Sequence, residues 1–113
     1  MIITGGIAPN SEASMGGAMM SSDEEAAKHR MVTDAVHGAA DDVKICMQIL
    51  HPGPLANNKD MVAPSAVRSR IARHPPNELD KAGIQKQIDD HVNCAVMAQK
   101  AGYDGVEIIG SAG

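Results

Sequence analysis

The sequence predicts an α/β fold of successive strand–helix units with parallel strands. Three short aliphatic runs, Met1–Ile7, Val43–His51 and Val106–Ile109, are separated by two stretches with helical periodicity. Strand–helix–strand order sets neighbouring strands parallel, through crossovers that are almost always right-handed. All three runs are nearly continuous in apolar residues, as strands covered on both faces should be. Two architectures fit: a doubly wound open sheet, or an arc of a (β/α)8 barrel. Both present their chemistry at the C-terminal ends of the strands.

The elements follow in order. Met1–Ile7 is a strand ended by Gly5-Gly6, and residues 7–17 form a loop rich in Gly, Pro and Ser. Ser22 with Glu25 makes a capping box, and Asp23 and Glu24 suit the positive end of a helix. Val32, Ala35, Val36 and Ala39 recur at i, i+3, i+4 and i+7, a single apolar stripe. Asp41-Asp42 closes that helix, and the Val43 strand follows. Residues 52–78 then hold five of the six prolines and four basic residues, Lys59, Arg68, Arg70 and Arg73. Loops this long without structure of their own usually serve a site. A second helix is expected from about Lys81 to Ala101, with Ile84, Ile88, Val92 and Ala95 along one face. Gly102 terminates it, and the third strand comes next.

At 113 residues the chain allows one small domain, yet it holds one Tyr, no Phe and no Trp. Complete cores usually lean on aromatic area; here Met, Ile, Val and Ala must supply it. The chain opens inside one apolar run and stops just after another. We therefore read residues 1–113 as a piece of a larger domain, truncated at both ends. A net charge of −4 argues against nucleic acid or an anionic membrane as partner. No apolar stretch approaches a membrane span, and no secretory leader pattern opens the chain. Cys46 and Cys94 read as free thiols, and a cytoplasmic location follows by default.

The candidate site residues lie at the strand ends. Gln48 and His51 close an otherwise aliphatic strand, and an uncompensated buried polar group costs roughly 1–3 kcal/mol. Gln48 offers an acceptor and two donors, suited to an amide-like ring edge; His51 can donate a hydrogen bond or hold charge. Thr4-Gly5-Gly6 and Gly110-Ser111-Ala112-Gly113 would converge on the same edge. The plainer alternative is that Gln48 satisfies loop backbone and His51 caps its strand. No nucleotide fingerprint or Walker motif occurs, and no His or Cys pair has metal-ligand spacing. The remaining histidines, the Met15, Met19, Met20 group, Asp89-Asp90 and the loop arginines read as packing or solvated surface.

Four stretches, Thr4-Gly5-Gly6-Ile7-Ala8-Pro9, Gln48-Ile49-Leu50-His51, Val62-Ala63-Pro64-Ser65-Ala66 and Ala101 through Ile108, are spaced along essentially the whole chain. Together they resemble the old yellow enzyme family of flavin-dependent reductases, and most closely its NADH:flavin oxidoreductase and 2,4-dienoyl-CoA reductase branch. The resemblance implies a (β/α)8 barrel with FMN at the C-terminal face, of which this chain supplies strands two to four. Carried over by position, Gly6 lies beside the flavin ring and Gln48 hydrogen-bonds its pyrimidine edge. His51 and Ala112 fall in the vicinity of cofactor or substrate.

The family passes hydride from NAD(P)H through flavin to an activated C=C bond, enoyl-CoA esters included. Full-length relatives of this branch can also carry FAD and an iron–sulfur cluster. No catalytic side chain falls within the chain, because the family's proton-donor tyrosine would follow Gly113. Two departures concern the substrate. Gly53 is followed by Pro54-Leu55 where many members have Gly-Arg-Tyr, and Ile109 and Ala112 stand where some branches carry a histidine pair. Two other readings stay open beside this one: a cofactor-free β/α segment, and a different barrel enzyme with a phosphate-bearing ligand.

Overall fold

The computed structural model describes residues 1–112; the expectation for Gly113 lies outside them. Strand β1 (Ile2–Ile7) leads through a loop to helix α1 (Asp23–Ala39), and β2 (Ile45–Ile49) follows. Short strands β3 (Val62–Ala63) and β4 (Asn77–Glu78) precede helix α2 (Lys81–Lys100) and strand β5 (Gly105–Ile108). The three main strands form one parallel sheet in the order β1-β2-β5.

The core decides between the two architectures. Ile45, Met47 and Ile49 of β2 are buried, while the alternate residues Cys46 and Gln48 are only half-buried. The buried set, with Ile7, packs against Ala26 of α1 and against Cys94, Met97 and Ala98 of α2. Both helices thus cover one face of the sheet, and among the described residues the other face carries no layer. A doubly wound sheet is covered on both sides; a barrel wall has helices outside only. The expectation of strands buried on both faces is corrected here. Ile2 and Ile3 of β1 are each nearly half exposed, and β5 alternates as well.

The helix ends form as the sequence predicts. Ser22 and Glu25 make a reciprocal capping box. Asp80 caps α2 by accepting from the Gly83 N–H at 2.7 Å. Gly102 ends α2 at φ +85, with Gly102 N donating to Gln99 O and Tyr103 N to Ala98 O. That paired pattern needs a left-handed residue, which glycine adopts without penalty.

The inward faces differ from expectation. Ile84, Ile88 and Val92 are 49%, 51% and 60% exposed. The side of α2 that meets the sheet is Cys94, Met97, Ala98 and Ala101, where three small side chains flank the flexible Met97. The Ile/Val stripe instead lines an open groove of about 870 Å³ with Val96, Val106 and Ile108. A further βα unit of a complete barrel packs against that outer surface. On α1, Val32 is likewise largely exposed and Val36 half-buried. The buried positions are Ala26 and Thr33, and Thr33 Oγ1 donates to Ala101 O at 2.6 Å. The segment read as loop contains the β3–β4 pair, joined by Asn77 N to Met61 O at 2.9 Å and Leu79 N to Ala63 O at 3.0 Å. Met61, Ala56 and Ala72 form a small second cluster beneath it.

Candidate functional site

Residue parity in β2 sorts the candidates. Side chains alternate across a strand, so Cys46, Gln48 and Leu50 face the open side of the sheet and Ile45, Met47 and Ile49 the helices. Gln48 lies in register with Gly6 on β1 and with Glu107 on β5. Three residues from three strands therefore stand side by side near the C-terminal edge.

The contacts of Gln48 are specific. Its Nε2 donates to Glu107 Oε2 at 2.7 Å. Its main-chain N donates to Thr4 Oγ1 at 3.0 Å. The second contact occurs where the register of β1 shifts between Ile3 and Gly6, so a hydroxyl fills a gap in the ladder. Such irregularities redirect a strand and are common beside active sites. The amide does not satisfy loop backbone, contrary to the plainer alternative. Its Oε1 and second N–H have no protein partner among the described residues.

Gly6 has a local explanation too. A Cβ there would stand 2.7 Å from Leu50 Cβ, whereas nothing lies within 4 Å of one at Gly5. The packing of Leu50 keeps Gly6, the residue in register with Gln48, free of a side chain.

His51 points elsewhere. It follows Gln48 by three residues, an odd spacing, and its ring stacks on His91 of α2 with centroids 6.0 Å apart and planes 15° apart. Its Nδ1 accepts from Gly53 N at 3.1 Å. The proton therefore resides on Nε2, which is buried without a hydrogen-bond partner. Burial, with the neighbouring His91 second, pushes the His51 pKa down. The structure brings Gly6 and Gln48 together and places His51 on the helix side. Ala112 is half-buried beyond β5 on the same sheet edge.

Beside His51 lies a network that the sequence reading missed. Asn10, buried in the loop after β1, donates from Nδ2 to Gln87 Oε1 at 2.8 Å and to Asp90 Oδ2 at 2.6 Å. Glu12 accepts from Gln87 and from Lys86. These bonds pin the first loop of the C-terminal edge to α2. Glu107 was missed as well, although a carboxylate between Val106 and Ile108 signals alternation. No cluster of three or more potential metal ligands occurs among the described residues, and no helix there is long and apolar enough to cross a membrane.

At the opposite edge, Asp104 Oδ2 accepts from Ile45 N at 2.9 Å and meets His37 Nε2 at 2.7 Å. The His37 hydrogen bond, then that from Ile45 N, holds the Asp104 carboxyl down at about 2. Tyr103 Oη bonds His29 Nδ1 at 2.8 Å. Cys94, buried beneath α2, has its thiol pushed up to about 12 by burial.

The whole chain, residues 1–113, matches the profile of the NADH:flavin oxidoreductase / NADH oxidase family. Over 88 residues it is 36% identical to a metal reductase of Desulforamulus reducens, covering 74% of this chain and 13% of that protein. Over 78 residues it is 36% identical to an NADPH dehydrogenase of a Geobacillus species, covering 68% of this chain and 22% of that protein. The fold superposes on morphinone reductase with a TM-score of 0.80 at 25% identity, over 95% of this chain and 34% of the other. The chain therefore spans about a third or less of the proteins it resembles. It belongs to this old yellow enzyme-like family of flavin oxidoreductases, and its fold is an arc of a TIM barrel.

Proposed function

We propose that, within this family, the chain supplies one side of an FMN-binding surface in an oxidoreductase that reduces an activated C=C bond with NAD(P)H. The observation that carries the reading is the Gln48 amide on the open face of the sheet, next to Gly5-Gly6 and held by Glu107. A flat ring edge that alternates donors and acceptors matches what the amide leaves free, one acceptor and one donor. The two glycines let such a ring lie close to main chain. These residues fit FMN.

FMN, when bound, supplies the two-electron redox chemistry, as cofactors do. The protein's part is to orient it. Gln48 would pair with the ring edge, Gly6, without a side chain beside Leu50, would leave main chain next to it, and Thr4 anchors the main chain of Gln48. His51 acts indirectly, by holding Gly53 and the turn after β2. Ile109 and Ala112 offer no charge at the substrate edge, so an enoyl-CoA ester would be gripped by other parts of the barrel.

Gln48→Leu tests the assignment in the complete barrel that carries this chain. Loss of two hydrogen bonds worth about 0.5–1.5 kcal/mol each should weaken FMN binding about five- to a hundredfold in a fluorescence titration. An unchanged affinity would remove Gln48 from the site.

A further inference from the structure

We infer that Glu107 is a positioning residue that sets which end of the Gln48 amide faces the ligand; the inference rests on the flavin reading above. Gln48 and Glu107 occupy the same register position on adjacent parallel strands, so their side chains leave the sheet together. Gln48 Nε2 donates to Glu107 Oε2 at 2.7 Å. An ionised carboxylate can only accept. It therefore admits the NH2 end of the amide and repels the carbonyl end, so the amide cannot sit in its flipped orientation. Charge-assisted bonds of this length are also stronger than neutral ones.

The consequence is directional. With the NH2 end turned toward β5, Oε1 and the second N–H are presented in a known order along the sheet edge. A ring edge carrying an N–H beside a carbonyl oxygen meets its complement in one orientation only. Without the carboxylate the side chain regains rotamer and flip freedom that binding must remove, which corresponds to roughly two- to tenfold in affinity. An opposing effect exists: covering Glu107 with a ligand strips water from its carboxylate. The sign of the change on neutralising it decides which effect wins.

The test is a double-mutant cycle in the complete barrel, using FMN itself. Glu107→Gln keeps size and shape but can face Gln48 with either end of its own amide. We expect it to weaken FMN two- to tenfold, and to change affinity by less than twofold when Gln48 is already Leu. The NH2 resonances of Gln48 should also move in the Glu107→Gln protein without ligand, while the thermal midpoint stays put. Unchanged or tighter binding by Glu107→Gln, or an equal loss in both backgrounds, overturns the role. If Glu107→Gln does not fold, Glu107→Asp, which keeps an acceptor-only group, serves. It should retain the Gln48 NH2 shifts, and a shift pattern like that of free glutamine overturns the role. An effectless Gln48→Leu would sink the flavin reading with it, whereas a failure confined to Glu107 leaves that reading standing.

Discussion

Gly6→Ala distinguishes a glycine required by packing from one required by a ligand. The added methyl would stand 2.7 Å from Leu50 Cβ, about 1 Å inside the ordinary separation of carbon atoms. The end of the Leu50 side chain can rotate away, but its Cβ moves only with the β2 backbone. The two strands must then part, or the irregular stretch of β1 must shift. Overpacking of this kind costs about 1–3 kcal/mol. Urea unfolding of the complete barrel, followed by circular dichroism at 222 nm, reads this loss. The double variant Gly6→Ala/Leu50→Ala should show coupling of about 1–2 kcal/mol, since the two residues touch. Full stability of Gly6→Ala alone, or strictly additive losses in the double variant, would refute the packing account. A loss of FMN affinity that Leu50→Ala cannot relieve would instead assign the restriction to the ring.

Other outcomes follow from the contacts described. Gly102→Ala places a side chain in the left-handed region and a methyl 3.0 Å from Thr33 Oγ1, which should cost about 1–2 kcal/mol or more in the same unfolding assay. Thr33→Val leaves the Ala101 carbonyl without its donor and should cost about 1–3 kcal/mol. The Asp104 carboxyl is depressed to about 2, below an unfolded value near 3.9. Its stabilising effect is therefore complete above that unfolded value and lost as pH falls through about 2; Asp104→Asn should flatten this acid limb in pH-dependent melting. With its thiol near 12, Cys94 is only about one part in ten thousand thiolate at pH 8, so iodoacetamide should leave it unmodified in the native protein. Rapid labelling would show that α2 opens.

Much of the fold could be read from the sequence because its signals are local. The Ser22–Glu25 box and the Gly102 terminator work within a few residues, and both formed where expected. Strand positions were legible to within about two residues. The facing of α2 was not. A period of 3.6 identifies the Ile84–Ile88–Val92 stripe but cannot rank it against the Cys94–Met97–Ala98–Ala101 side, which is the one packed on the sheet. The β3–β4 pair was equally hidden, since two-residue strands exist only through partners 15 residues away. At the site, Gln48 was legible as a polar residue in an oily strand. The odd spacing separates His51 from Gln48, although both stand at the C-terminal end of one strand, where the sequence places them on a common edge.

The Thr4 hydroxyl has a consequence beyond filling a break in the ladder. Because it receives the main-chain N–H of the residue whose amide we propose meets the flavin, a change on the first strand would reach that ligand without touching it. Drift at Thr4 could thus retune affinity while every contacting residue stays the same.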